Sequence, residues 1–339
     1  MNPNRSTGRR RARRWAAAAL ATAVALVGIA ALSGFHLPLE RVDPPGGGAS
    51  GEVEGGEIIG IRTFDAPDDV LVDAGVEYAT TDDGTLLELD VCRPAVSTVD
   101  ALPAVISVHG GSWQRGAKDN SDWRRVCQWL ASEGFVAVSI DYRLVPDAVF
   151  PSQLDDVQAA IRWLRDPEQA ALQGVDPARI GILGGSAGGQ LAALAGLSGS
   201  GPLDADARVA AVVELSGPVG LTSADLAADG ASTWLQGIVA AYLDCPAPGS
   251  DEVDDDGCLE RRAAATPAAQ ADPSDPPVLV LHGDAELIPL SQSQRFVDEL
   301  AAAGVDAELE VLPSTEHSIG LLDGAQRELV AAFLRAALA

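Results

Sequence analysis

The chain has 339 residues, a formal net charge of −26 and a hydrophobic share of 47%. That length allows one core of ordinary domain size. The acidic balance argues against a nucleic-acid partner, whose phosphates would be repelled, and no internal repeat or phosphate-cradling glycine loop occurs. An acidic surface of this kind serves solubility and points to no substrate.

The first residues stand apart from the rest. Arg5, Arg9, Arg10, Arg11, Arg13 and Arg14 precede an uncharged, Ala-rich stretch from Trp15 to Phe35. A basic flank before an apolar stretch means export or anchoring, with the basic end left in the cytoplasm. Residues 15–35 are long enough for a membrane anchor, while Ala31-Leu32-Ser33 offers a small-x-small cleavage site; both readings stay open. Residues 1–36 are therefore a signal or anchor segment. Residues 37–60, with Pro44-Pro45-Gly46-Gly47-Gly48, form a flexible tether, and residues 61–339 form the folded domain.

Within that domain, short apolar runs alternate with amphipathic ones. Strands are expected at 104–108, 135–140, 179–183, 208–215, 277–282 and 307–312. Helices are expected near 152–165, over 186–198 and 291–303, and from Gly324 to Leu338. In the 152–165 helix, Leu154, Val157, Ile161 and Leu164 make one buried stripe, and Asp155 and Asp156 favour the dipole of its first turn. The alternation predicts an α/β fold: a mostly parallel central sheet with helices on both faces. Residues 217–276 are too long for a plain connection and read as a small cap insertion. The insertion contains a helix from Trp234 to Leu243; Trp234 is a core residue or a lining of the acyl pocket. Asp141-Tyr142-Arg143 at a strand end reads as structural, Arg143 bonding nearby carboxylates or carbonyls and Tyr142 a candidate pocket residue.

The chemistry begins at Gly184-Gly185-Ser186-Ala187-Gly188, a G-x-S-x-G sequence between a strand and a helix. Such a turn lifts a serine hydroxyl clear of the sheet at the positive end of a helix. Serine needs a base, an acid and an oxyanion site to act as a nucleophile at neutral pH. Oxyanion donors are expected from Gly110 and Gly111, in His109-Gly110-Gly111-Ser112-Trp113 after a strand, together with the Ala187 N–H. If the order is Ser, acid, His, His317 in the last strand-to-helix loop is the base. Glu286, four residues after the strand-ending His282, is the acid. Asp284 is the alternative acid, or else a brace for the turn.

These stretches resemble an α/β-hydrolase of the esterase/lipase type, most like the feruloyl-esterase-like branch (BD-FAE) and the hormone-sensitive-lipase-like carboxylesterases. The resemblance rests on HGGSW at 109–113, DYRL at 141–144, FPSQLDDVQAAIRWL at 150–164, GGSAGGQLA at 185–193, PPVLVLHGDAELIP at 276–289 and EHS at 316–318. It implies Ser186 as nucleophile, His317 as base, Glu286 as acid, and Gly111 and Ala187 as oxyanion donors. Two departures stand out: Gly185 replaces the commoner Asp or Glu, and the acid loop is a residue short and carries Glu instead of Asp.

Cys92, Cys127, Cys245 and Cys258 lack metal-ligand spacing. In an extracytoplasmic domain an even set suggests two disulfides, with three connectivities possible. The favoured set is Cys245–Cys258, closing the acidic loop at 251–256, with Cys92–Cys127; four buried thiols are the alternative. The acidic loop lacks EF-hand spacing and is expected to be solvated. The expected function is an extracytoplasmic serine carboxylester hydrolase working through an acyl-enzyme on small or short-chain esters, without metal or organic cofactor. Alternatives are an amidase or arylformamidase on the same triad, or an inactive hydrolase fold that binds a partner at the cell surface.

Overall fold

The computed structural model describes residues 58–96, 101–250 and 254–339. The chain divides into two units, Met1–Val42 and Asp43–Ala339. Residues 1–57, which include all of the first unit, the expected anchor at 15–35 and most of the tether at 37–60, lie outside the described residues. None of the described helices is long and apolar enough to cross a membrane.

An eight-stranded sheet organises the domain. Its strands are β1 (Val70–Thr80), β2 (Leu86–Pro94), β3 (Leu102–Val108), β4 (Val136–Ile140), β5 (Val175–Gly185), β6 (Ala211–Leu215), β7 (Val278–Gly283) and β8 (Ala307–Leu312). They lie in the order β1-β2-β4-β3-β5-β6-β7-β8. β2 runs antiparallel to both of its neighbours, and every pairing from β4 to β8 is parallel. The expected α/β-hydrolase architecture, with a mostly parallel sheet, is what the chain adopts. The sequence reading stopped short of β1 and β2. β1 is an edge strand carrying Asp73, Gly75 and Glu77 with two register shifts, so it shows no clean apolar alternation.

Central strands are buried on both sides, as parallel strands covered by helices must be. One face holds Ile106, Val138, Ile182, Val212 and Val280 against helices α2 (Ser152–Arg165), α4 (Ala187–Leu197) and α8 (Leu290–Ala303). The opposite face holds Val105, Ala137, Leu183, Val213 and Leu281 against α1 (Ser121–Ser132) and α9 (Gly324–Ala337). In α2 the expected stripe is in place: Val157, Ile161 and Leu164 are fully buried, and Leu154 packs against them. The short α3 (Pro167–Gln173) follows. Its cap, Asp166, accepts hydrogen bonds from the Glu168 and Gln169 N–H groups, Pro167 opens it, and left-handed Gly174 ends it. Such a cap stabilises a helix by about 1 kcal/mol. α4 is apolar and buried all round, as befits a helix sandwiched between the sheet and the insertion.

The insertion at 217–276 contains more structure than the single expected helix. α5 (Ser223–Ala228), α6 (Thr233–Tyr242) and α7 (Asp256–Ala265) are each capped by a side chain: Thr222, Ser232 and Asp255. Trp234 is only partly buried and packs at the edge of the core.

Candidate active site

The turn from β5 into α4 is built by close backbone approach. A Cβ on Gly184 would collide with the Gly188 carbonyl, and one on Gly188 with the Val108 carbonyl. Both outer glycines of the motif are therefore required by space. Between them Ser186 adopts φ 57°, ψ −127°, a conformation that costs a non-glycine residue on the order of 1–3 kcal/mol. Bonds on both sides hold it there. The Ser186 N–H donates to the Leu215 carbonyl at 2.8 Å, extending the β5–β6 ladder, and its own carbonyl accepts from Gln190 N–H at 3.1 Å. The helix starts at Ala187, one residue later than expected, so Ser186 is its cap residue. The Ala187 N–H belongs to the first turn, whose N–H groups lack intrahelical acceptors.

The loop after β3 stands beside this turn. A Cβ on Gly110 would lie 2.8 Å from the Gly185 carbonyl and 3.0 Å from Ser186 Cβ. The Gly110 carbonyl lies 2.9 Å from His109 Nδ1 and accepts its hydrogen. In a trans peptide the next N–H points the opposite way, so the Gly111 N–H is turned away from the His109 ring. Gly111, at φ 125°, accepts from the Gln114 and Arg115 N–H groups, which by the same geometry turns out the Ser112 N–H. Tyr142 braces this loop from behind. It stacks on His109 at 4.3 Å and donates to the His109 carbonyl at 2.9 Å. That corrects its reading as a pocket residue: at 4% exposure it supports the loop. Arg143 is structural as expected, gripping the buried Asp156 with Nε and Nη2. Asp156 is thus an ion-pair partner more than a dipole partner.

Past the loop, Trp113 ties the insertion to this edge of the sheet. Its ring lies parallel to that of Tyr242 from α6, 4.1 Å away, and its Nε1 donates to Gln190 Oε1 on α4. Gln190 in turn donates to the Ala265 carbonyl at the end of α7. Both rings are fully buried.

Glu286 follows β7 and His317 follows β8, two neighbouring parallel strands. The structure brings them together: His317 Nδ1 and Glu286 Oε2 share a hydrogen bond. Asp284 is exposed and accepts from Ser314 N–H at 3.1 Å, bracing the turn. His317 also sits beside the serine turn through its neighbour: a Cβ on Gly185 would collide with Ser318 Oγ. The Glu286 side chain is fully buried. Burial pushes its pKa up, but the closeness of the His282 ring, the hydrogen bond from His317 and the charge of both histidines outweigh this and hold it below the usual carboxylate value.

Two further residues escaped the sequence reading. His282, read there as no more than a strand end, lies with Nε2 2.9 Å from Glu286 Oε1. Glu214 of β6 has a fully buried side chain. It accepts from the Gly217 N–H and fits because Gly189 and Gly217 leave room: a Cβ on either would come within 2.7 Å of Oε1. Burial, opposed by His282, raises its pKa to about 8. The signal was present, since Ala-Val-Val-Glu-Leu puts one acid in an otherwise apolar central strand.

The cysteines pair as Cys92–Cys127 and Cys245–Cys258. The second bridge joins the end of α6 to α7. Among the described residues, Cys245, Asp254 and Cys258 are the one group of potential ligands close enough for a metal ion. The sulfurs there bond each other, and Asp254 pairs with Arg262 at 2.7 Å, so this donor set is already used. Asp255 caps α7; residues 251–253 of the acidic loop lie outside the described residues.

Comparison with known proteins adds four likenesses. The BD-FAE family model matches residues 89–300. The chain is 32% identical over 247 residues to the esterase LipQ of Mycobacterium tuberculosis, covering 70% of this chain and 55% of LipQ. It is 33% identical over 267 residues to the carboxylesterase NlhH of the same organism, covering 76% and 79%. The chain thus spans about half the length of LipQ and most of NlhH. Among solved structures, a truncated carbohydrate esterase from gut microbiota superposes with a TM-score of 0.62 at 25% identity, over 80% of this chain and 99% of that one.

Proposed function

Given that the chain belongs to the BD-FAE family of α/β-hydrolases and is a carboxylic ester hydrolase, we propose that it works through Ser186, His317 and Glu286. The observation that carries this reading is the hydrogen bond between His317 and Glu286, formed beside the strained turn at Ser186.

In this reading Ser186 Oγ attacks the ester carbonyl carbon and His317 Nε2 takes its proton. Glu286 holds the imidazole in the tautomer with hydrogen on Nδ1 and stabilises its cation. The Gly111 and Ala187 N–H groups face the developing oxyanion, with Gly110 permitting the close approach of its loop; losing one such donor typically costs roughly 100–1000-fold in rate. His317 then protonates the leaving alcohol. Water, deprotonated by the same imidazole, cleaves the acyl-enzyme and releases the acid.

Small or short-chain esters are the proposed substrates. The buried Trp113–Tyr242 stack supports this, because it fills space next to the oxyanion loop with fixed aromatic surface. The carbohydrate-esterase likeness is a reason to include acetylated sugars. An extracytoplasmic location is supported by the two disulfides and by the basic flank before residues 15–35. Hydrolysis of p-nitrophenyl acetate, butyrate and octanoate, beside Ser186→Ala, tests the reading. Turnover of the acetate that disappears in the variant is expected. Undiminished turnover in the variant would sink the Ser186 assignment, and a preference for octanoate the short-chain one.

A further inference from the structure

A glutamate has one more rotatable bond than an aspartate, and that freedom must be removed before its oxygen can hold an imidazole in one place. His317 fixes Glu286 through Oε2. The opposite oxygen, Oε1, lies 2.9 Å from His282 Nε2, with both side chains at 0% exposure. The His282 ring is itself immobilised. Its Nδ1 is 2.8 Å from Ser293 Oγ on α8, and its Nε2 is 2.9 Å from the Ile288 carbonyl. A carbonyl and a carboxylate only accept hydrogen bonds, so Nε2 carries hydrogen whether the ring is neutral or cationic. The Ser293 hydroxyl can serve Nδ1 in either state. The N–H is spent on the Ile288 carbonyl; Glu286 Oε1 lies 2.9 Å from the same nitrogen but off the N–H axis, accepts no hydrogen bond among the described residues, and meets the ring through charge and close packing.

We infer that His282 is a positioning residue for the proposed triad, holding Glu286 from the side opposite His317 so that Oε2 alone meets the base. This rests on the assignment of Ser186, His317 and Glu286 made above. The charged groups facing His282 agree with it. Glu214 approaches from β6 and Glu286 from the loop after β7. Burial would drive the proton off the ring, but Glu286, the Ile288 carbonyl and Glu214 together hold it on more firmly than in a free histidine.

The alternative is that His282 merely fills the core. Steady-state hydrolysis of p-nitrophenyl acetate by the full chain separates the two, using His282→Gln, His282→Asn and His282→Phe, each alone and combined with Glu286→Gln, with thermal melting to confirm folding. The Gln amide reaches the position of Nε2, whereas the Asn amide reaches only that of Nδ1. The expected result is a kcat about tenfold lower or more for Asn and Phe, with KM little changed and most of the rate kept by Gln. In the Glu286→Gln background the same substitutions cost less than about threefold, because residues acting through one another are not additive. Equal losses in both backgrounds, or a folded His282→Gln as slow as Asn, would overturn the inference. If Phe fails to fold, the Gln and Asn pair decides. An unchanged kcat in Glu286→Gln alone would instead overturn the triad assignment.

Discussion

Ser318 Oγ occupies the space in which a side chain on Gly185 would begin. The residue after the proposed base and the residue before the proposed nucleophile are thereby packed together, and glycine at 185 is what lets them meet. Ser318 is 6% exposed and has φ 59°, so it has little room to retreat. Gly185→Asp is expected to destabilise by about 1–3 kcal/mol, as overpacking does, and to reduce turnover by displacing the loop that carries His317. Adding Ser318→Gly removes the obstructing hydroxyl and suits the positive φ, so the double variant should recover much of both losses. Melting temperature and kcat of the three variants check this; a single Gly185→Asp variant as stable and active as the parent would refute the packing argument.

The two acids of the Asp284-Ala285-Glu286 stretch should separate cleanly by substitution. Glu286→Gln leaves the geometry but removes the charge and can present an amide N–H to Nδ1, which favours the wrong tautomer; the equivalent change in a serine protease triad costs on the order of 10⁴-fold in kcat. Asp284→Asn keeps a hydrogen-bond acceptor for the Ser314 N–H at an exposed turn and should stay within about twofold, with a stability change inside ~0.5 kcal/mol. Rates on p-nitrophenyl acetate decide; the reverse pattern would transfer the acid role to Asp284.

Much of this site was legible because its signals are local. Gly184, Ser186 and Gly188 announce a tight strand-to-helix turn by spacing, and the spacing of Val157, Ile161 and Leu164 announces a helix. The order serine, acid, histidine follows the order of the strands. What was not legible is what the sheet joins through space. Tyr142, read as part of a structural triplet with the pocket as an alternative, could not be placed until its ring was found behind His109, a contact that depends on two neighbouring strands ending at the same edge. Glu214 and His282 are 68 residues apart, and lie on one face because β6 and β7 pair in parallel register, with Glu214 opposite Val280. β1 was missed for a different reason: an exposed, bulged edge strand carries no period-2 signal.

The two disulfides should differ in what they do. Cys92–Cys127 spans 35 residues and ties β2 to α1 in the fully buried core, whereas Cys245–Cys258 spans 13 residues within the insertion. Loop closure alone assigns about 3 kcal/mol to a loop of the shorter length and somewhat more to the longer. Cys92→Ala with Cys127→Ala should therefore lower the melting temperature with little change in KM. Cys245→Ala with Cys258→Ala loosens the end of α6, where Tyr242 stacks on Trp113, and should raise KM by several-fold in addition. Melting curves with KM for p-nitrophenyl butyrate test the contrast. Equal effects on KM would argue that α6 does not bear on substrate.

Glu214 should leave a mark on stability as a function of pH. Burial holds its carboxyl protonated up to about 8, against an ordinary value of 4.5. Between those values the folded chain binds a proton that the unfolded chain has released, so stability falls as pH rises. The contribution is complete below the ordinary value and is lost as pH passes through about 8. Glu214→Gln reproduces the shape of the neutral acid: Oε1 still accepts from the Gly217 N–H, and no proton is left to lose. The variant should melt near the parent at pH 5 and at least about 3 °C higher at pH 9, since a kcal/mol corresponds to roughly 2–4 °C in a domain approaching this size. His282 and Glu286 are retained in both proteins, and because Glu214 and His282 act on each other's protonation, the difference between the two curves reports Glu214 together with its coupling to His282. Parallel curves from pH 5 to 9 would mean that its carboxyl is already ionised when buried, stabilised by His282 more strongly than burial disfavours it.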